Sequence, residues 1–95
     1  MTREDIATER GLKMHDLALS VMREKGTPIP VGPIPIMEYR RGLLAVRYWP
    51  KRGRLDVWHG RKVLSVERWA GKPQIIRYVP GHWERHLVEA AKVAA

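Results

Sequence analysis

Residues 43–79 read LLAVRYWPKRGRLDVWHGRKVLSVERWAGKPQIIRYV, and this stretch decides the fold. Apolar and polar residues alternate within it in four segments, at positions 43–49, 54–59, 62–69 and 74–79. The connections between these segments are two to four residues long, and each contains a glycine. A period of two is typical of β-strands, and connections this short join neighbouring strands as hairpins. The sequence therefore predicts an antiparallel meander.

The part of the chain before the meander divides into a helix and an extended segment. Over residues 2–25, apolar side chains recur every three or four positions, which is typical of an amphipathic helix. Gly26 suits the left-handed backbone of a helix cap, and Pro28 prevents the helix from continuing. Residues 27–35 contain four prolines that alternate with apolar residues, so we expect an extended, polyproline-like segment along the surface.

The expected meander spans residues 36–79, and its start has two interpretations. Residues 34–39 alternate like a fifth strand, whereas the apolar positions of residues 36–44 also fit helical spacing. After the meander, the spacing of apolar residues over 82–94 predicts a closing helix. We therefore expect a single α+β domain over residues 1–95, with an N-terminal helix, a four- or five-stranded antiparallel meander and a C-terminal helix. Both helices are expected to pack on one face of the sheet.

The positive charge of the protein is concentrated in the predicted sheet. The net charge is +8, and residues 26–81 hold eleven basic residues against three acidic ones, so the flanking helices are balanced. A field concentrated on one part of a domain attracts polyanions, above all the phosphates of nucleic acids. The same charge is also compatible with a role in solubility alone.

The composition excludes several classes of protein. The hydrophobic fraction of 44% and the charged fraction of 29% are those of a globular domain. The sequence has no cysteine, which excludes disulfide scaffolds, iron–sulfur sites and thiol enzymes. The N-terminus lacks the basic start and apolar stretch of a secretory signal, and the longest uncharged run, residues 26–37, is broken by four prolines. We expect a cytoplasmic protein without a membrane-spanning segment.

The alternation assigns the side chains of each strand to two faces. The aliphatic residues, with Ile76 and Tyr78 in the last strand, are expected to face the core. Three tryptophans share the other face with charged residues. Such a face is typical of modules that bind single-stranded nucleic acids, because rings stack on bases and guanidinium groups meet phosphates. The candidate nucleic-acid-binding residues on this face and in the hairpin loops are Arg47, Trp49, Lys51, Arg52, Arg54, Trp58, Arg61, Lys62, Trp69, Lys72 and Arg77.

The same pattern supports two other interpretations. Cross-strand aromatic pairs and arginines stacked on tryptophan can serve the fold alone. Tryptophan, tyrosine and arginine also dominate the energetics of protein interfaces. The alternative to nucleic-acid binding is therefore a protein assembly or inhibitor module that uses the same face, with a homodimer as one form of it.

The histidines are the other candidates for chemistry. His82 and His86 lie four residues apart on the predicted final helix, a spacing that can present both to one metal ion. No clear third ligand accompanies them, so we assign no metal and no cofactor. A third alternative is a small ribonuclease-type toxin in which His59, His82 or His86 acts beside Arg61 or Arg77. The sequence has no phosphate-binding glycine-rich loop and no G-x-S-x-G motif, so we assign no catalytic residue and predict a binding module.

Overall fold

A computed structural model describes residues 3–92 of the chain. Within this range it contains two helices and six strands. In chain order they are α1 (Arg3–Lys25), β1 (Thr27–Val31), β2 (Ile34–Arg41), β3 (Leu44–Trp49), β4 (Arg54–His59), β5 (Arg61–Trp69), β6 (Lys72–Tyr78) and α2 (Trp83–Lys92). The α+β class is confirmed, but the sheet has six strands instead of the four or five expected. Residue 2 and residues 93–94, which the predicted helices include, lie outside the described residues.

The six strands form one antiparallel sheet in which every strand lies beside its neighbour in sequence. This order is a meander, so only hairpin turns are needed to connect the strands. Gly42 and Gly60 occupy two of these turns with φ angles of 60° and 80°. Such left-handed backbone is strained for most residues but not for glycine. Both turns lie at the same end of the sheet, because β3 and β5 both begin there.

The proline-rich segment forms an edge strand, which the sequence did not lead us to expect. Residues 27–31 become β1 and pair with β2, with Pro28 opposite Met37 and Pro30 opposite Pro35. Proline has no N–H for a second neighbour, so it is tolerated at the edge of a sheet. Residues 27–31 are extended, as expected, but they form a paired strand instead of a polyproline-like path.

The start of the meander is a strand. β2 covers Ile34–Arg41 and pairs with β1 on one side and β3 on the other. The helical alternative for residues 36–44 is wrong. Hydrogen bonding to two neighbouring strands decides between the two interpretations that the local spacing left open.

Both helices cover the same face of the sheet. The buried apolar cluster combines residues from both helices with alternate residues of β3, β4 and β5. Its members are Ala18, Val21, Met22, Leu44, Val46, Leu55, Val57, Val63, Leu64, Val66, Trp83, Leu87 and Ala90. The expectation that the helices pack on one face is confirmed, and we refer to the other side as the open face. Neither helix within residues 3–92 combines the length and apolar character needed to cross a membrane.

A β-bulge in β5 changes the face that one residue takes. Val57 pairs with Leu64, whereas the next residue, Trp58, pairs with Lys62. The extra residue between them, Val63, is buried in the apolar cluster. Because a bulge shifts the alternation by one residue, Lys62 lies on the open face beside Trp58.

A second irregularity lies between β5 and β6. Val66 pairs with Ile75 and Ser65 pairs with Arg77, so Ile76 is the extra residue. Ile76 is 56% exposed, and Ile75 packs against the core instead. The expectation that Ile76 faces the core is wrong, because the bulge interrupts the alternation on which it was based.

A polar network fixes α2 to the rest of the domain. The carboxylate of the buried Glu84 accepts hydrogen bonds from Tyr78 Oη at 2.9 Å, from the Gly81 N–H at 3.2 Å and from Arg10 Nη2 at 3.4 Å. Burial, together with the Glu84 carboxylate, raises the pKa of Tyr78 to about 12. The bond to Gly81 satisfies a backbone donor at the start of the helix. Glu84 thereby links α1, β6 and α2.

Candidate nucleic-acid interface

The open face consists of cross-strand rows of mostly polar and aromatic side chains, fixed by the register of the strands. The first row contains Arg40, Ala45, Trp58 and Lys62. The middle row contains Glu38, Arg47, Asp56, Ser65 and Arg77. The last row contains Trp49, Arg54, Glu67 and Gln74. Acidic and basic residues alternate across neighbouring strands, an arrangement that favours cross-strand ion pairs.

Glu38 is held between two arginines. Its two carboxylate oxygens accept hydrogen bonds from Arg47 Nε at 2.7 Å and from Arg40 Nε at 3.2 Å. Burial raises the pKa of Glu38, but the hydrogen bonds and charges of Arg47 and Arg40 outweigh this effect and lower the pKa below its ordinary value. Glu38 is therefore a stable anion that fixes the two guanidinium groups.

Asp56 is a buried carboxylate with three partners. Its side chain accepts a hydrogen bond from Ser65 Oγ at 2.7 Å. It also lies 3.2 Å from Arg54 Nε and 3.5 Å from Lys62 Nζ. A buried carboxylate needs such partners, because desolvation of an unpaired charge is costly. Arg54 and Lys62 therefore belong to an internal network of the open face.

Glu67 extends this network toward the turn between β3 and β4. It lies 3.6 Å from Arg52 Nη2 and 3.9 Å from Arg54 Nη1. All three acidic residues of the sheet thus have two basic neighbours each. Four of the predicted site residues form these internal ion pairs, namely Arg47, Arg52, Arg54 and Lys62.

The three tryptophans of the open face have different environments. Trp58 is half-buried, and the cationic groups of Arg47 and Lys62 lie 5.8 Å and 5.4 Å from its ring centroid. These distances are within the range of cation–π attraction. Trp49 is also half-buried, whereas Trp69 is 67% exposed. The structural interpretation therefore fits Trp58 best, and Trp69 is the ring most accessible to a ligand.

Six of the eleven basic residues in 26–81 form no ion pair with another described residue. They are Arg41, Lys51, Arg61, Arg68, Lys72 and Arg77. Five of them lie in or beside hairpin turns, and Arg77 lies on β6 at the edge of the sheet. Arg41, Arg61 and Arg68 follow the parity of the covered face in the register, so the unpaired cations that lie on or beside the open face are Lys51, Lys72 and Arg77.

Two of these unpaired cations, Arg41 and Arg68, are absent from the residues predicted from sequence. Arg68 follows the parity of the aliphatic residues, so alternation alone places its side chain on the covered side of the sheet. Its side chain is exposed and lies against Gly53, beside the turn between β3 and β4, instead of under the helices, and its N–H donates to the Gly53 carbonyl at 3.1 Å. In the sequence, Arg68 lies directly before Trp69 and the turn that follows it, and this position could have indicated that Arg68 is exposed.

The open face contains two depressions that could not be predicted from the sequence. The hairpin depression, of about 440 Å³, is lined by Arg40, Gly42, Leu43, Ala45, Arg47, Trp58 and Gly60. The central depression, of about 300 Å³, is lined by Arg47, Trp49, Arg52, Arg54, Asp56, Trp58 and Lys62. Arg47 and Trp58 line both depressions, so the two depressions are adjacent and share these side chains. Both volumes are in or near the range of small-ligand sites.

The structure brings two of the histidines together. The rings of His59 and His86 are stacked, with centroids 4.9 Å apart and an angle of 17° between their planes. Rings stacked in this way leave no space between them for a scissile phosphate. Arg61 pairs with His59 in the register, whereas Arg77 lies on the open face, away from His59. Among the described residues, no group of three potential ligands is placed to hold a metal ion.

The fold and this site define a small α+β domain with one helix-covered sheet face and one open, ion-paired face bordered by basic turns. No protein-family model matches the chain, and no curated protein and no solved structure matches it either. The function is therefore inferred from the chemistry of the open face.

Proposed function

We propose that the protein is a non-catalytic module that binds nucleic acid through the open face and the hairpin turns around it. The observation that carries the proposal is the exposed ring of Trp69 beside unpaired cations. Lys72 is directly opposite Trp69 in the register, and Lys51 lies in the adjacent turn. An exposed aromatic ring among flexible cations suits a base and its phosphates, and each stacked base contributes about 1–3 kcal/mol in such proteins.

The distribution of charge supports a turn-centred contact. Within the open face the acids offset most of the bases, whereas the unpaired cations in the turns have no such neighbour among the described residues. Phosphates would therefore meet the turns first, and the ring of Trp69 would meet a base. The proposal includes a cytoplasmic location, where such ligands are accessible.

A protein interface is the second candidate, favoured by exposed apolar side chains. Leu43, Trp69 and Ile76 are 69%, 67% and 56% exposed. Leu43 lies at one end of the sheet, Trp69 at the other and Ile76 on the β6 edge. A protein interface usually has a contiguous apolar centre. The separation of these three side chains makes nucleic acid the better-supported ligand.

A charge-reversal experiment tests the proposal. The double variant Lys51→Glu with Lys72→Glu changes the turns beside Trp69, and Lys13→Glu with Arg23→Glu makes the same change of charge on exposed positions of α1. Binding of a fluorescent oligonucleotide, followed by anisotropy at two salt concentrations, should weaken about tenfold or more in the first variant, and less than about threefold in the second. Equal losses would contradict a local site, and no binding by the unmodified protein at low salt would refute the function.

The same titration distinguishes nucleic-acid binding from the protein-interface candidate. Sedimentation at the concentrations used for binding should show a monomer, with tryptophan fluorescence changing only when oligonucleotide is added. A concentration-dependent dimer that is lost in Trp69→Ala would support the interface instead. Intact RNA after long incubation with the protein would remove the ribonuclease alternative, and cleavage lost in His59→Ala or His86→Ala would support it.

A further inference from the structure

The hairpin depression contains two arginines that a single carboxylate holds in place. Glu38 bonds to the Nε atoms of Arg40 and Arg47, each through a different oxygen. The Nη atoms of both guanidinium groups have no hydrogen-bond partner among the described residues. A guanidinium group carries five N–H donors in a planar fork, so four donors on each arginine are still available. The pair is oriented before any ligand arrives, which reduces the entropic cost of binding an anion.

Part of the wall of the hairpin depression is apolar. Trp58 contributes a half-buried indole, and Leu43 contributes an aliphatic side chain that is 69% exposed. Gly42 and Gly60 leave the mouth open, since a Cβ atom built on either would meet nothing within 4 Å. A ligand that contacts both the arginines and the apolar side chains has an anionic group and a flat apolar group, which is the chemistry of a nucleotide.

The position of Trp58 limits which nucleic acids can reach it. Its indole is half-buried on β4, and the neighbouring strands β3 and β5 place Arg47 and Lys62 5.8 Å and 5.4 Å from its ring centroid. A base in a duplex is stacked and paired inside the helix, so it cannot contact a recessed ring. An unpaired base can turn outward and pack against an aromatic side chain.

We propose that the hairpin depression binds one nucleotide of a single-stranded nucleic acid, with the phosphate on the free Nη atoms of Arg40 and Arg47 and the base against Trp58 and Leu43. This inference rests on the proposed function and narrows it to single strands. Lys62, on the far side of Trp58, remains paired with Asp56. The central depression lies next to the same ring, so the strand continues toward Trp49 and the turns beside Trp69.

Two consecutive arginines at the end of β2 provide a matched test. Arg40 lines the hairpin depression, whereas Arg41 follows it in β2 and points to the other side of the sheet. Arg40→Ala and Arg41→Ala remove the same charge from exposed positions at the end of the same strand. We expect Arg40→Ala to weaken the binding of a single-stranded oligonucleotide of about ten nucleotides by roughly tenfold, and Arg41→Ala by about twofold. Arg40→Lys should resemble Arg40→Ala, because lysine keeps the charge but loses the planar fork.

Spectra of the indole N–H groups identify the nucleic acid that enters the hairpin depression. The resonance of Trp58, assigned with Trp58→Phe, should shift with the single strand and stay in place with the duplex of the same sequence. A Trp58 resonance that responds equally to both, or equal losses in Arg40→Ala and Arg41→Ala, would overturn the inference while leaving the proposed function standing. Adenosine monophosphate that binds as tightly as the strand would also overturn it, since a free nucleotide would then be the ligand. The absence of any binding would refute the proposed function itself.

Discussion

The covered face and the open face of the sheet are built from alternate residues of the same strands, yet different interactions hold them. On the covered face, Leu55 and Val57 are fully buried in an aliphatic cluster. On the open face, the intervening Asp56 is also buried, but by ion pairs and a serine hydroxyl. Apolar burial gives the larger stabilisation, whereas exposed and partly exposed ion pairs contribute about 0–1 kcal/mol each. The open face therefore has charged groups that a ligand can recruit at little cost to folding.

The largest expected effect on the free energy of unfolding comes from a substitution in the core of the covered face. Leu55→Ala removes a fully buried side chain from the centre of the apolar cluster and should lower the free energy of unfolding by about 2–5 kcal/mol. Leu43→Ala is the matched control, because the same atoms are removed from a side chain that is 69% exposed, and the change should stay within about 0.5 kcal/mol. Urea denaturation followed by circular dichroism measures both. Similar losses in the two variants would contradict the assignment of the faces.

The next effect tests the buried carboxylate of the open face. Asp56→Asn keeps the shape but removes the charge that faces Arg54 and Lys62, and it should destabilise the protein by about 1–3 kcal/mol. Glu24→Gln makes the same change of charge at an exposed position of α1 and should have little effect. A stability of Asp56→Asn equal to that of the unmodified protein would mean that the ion-pair network contributes nothing to the fold.

A smaller effect concerns the edge of the covered face, where Tyr78 donates to Glu84. Tyr78→Phe should lower the unfolding free energy by about 1 kcal/mol, and Tyr48→Phe, whose hydroxyl has no hydrogen bond among the described residues, should be nearly neutral. The pKa of Tyr78 is about 12 in the folded protein and 10.0 as its ordinary value. The folded state therefore holds the proton more tightly, so this contribution is complete below pH 10 and is lost as the pH rises toward 12.

The direction of this pH dependence is checked by measuring the free energy of unfolding at pH 9 and again between pH 10.0 and the folded pKa of about 12. The difference between the unmodified protein and Tyr78→Phe should shrink as the pH rises through the folded pKa of about 12. A difference that grows with pH would show that Tyr78 ionises more easily in the folded state, contrary to its burial beside a carboxylate.

The division into two faces could be predicted from the sequence because alternation is a local property. Leu44, Leu55 and Leu64 all lie on the covered face, as their parity indicated. Two failures have one physical cause, which is that pairing with a neighbour overrides the local pattern. Pairing with β2 turns the proline-rich segment into β1, and the bulge in β6 moves Ile76 to the surface.

The candidate site was harder to predict, because ion pairs depend on register. Arg47 on β3 pairs with Glu38 on the adjacent strand β2, and Arg54 on β4 pairs with Glu67 on the adjacent strand β5. These partners are nine and thirteen residues apart, so neither is visible without the strand alignment. Pairs two residues apart in one strand, such as Glu38 with Arg40, could have been recognised, because residues i and i+2 share a face. Their recognition would have separated the paired arginines from the free cations of the turns.

The smallest expected effect on the free energy of unfolding concerns Glu38 on the open face. Arg47 and Arg40 lower its pKa in the folded protein despite partial burial, so the pair contributes stability above the ordinary pKa of 4.5 and loses it as the pH falls through the folded value. Glu38→Gln should therefore cost up to about 1 kcal/mol at pH 7 and almost nothing at acid pH, whereas Glu89→Gln at an exposed position of α2 should be neutral at both. Denaturant unfolding at the two pH values measures the difference. Since both variants gain the same charge, a loss confined to Glu38→Gln comes from its two arginines, and a loss that persists in acid would instead indicate a packing role for this side chain.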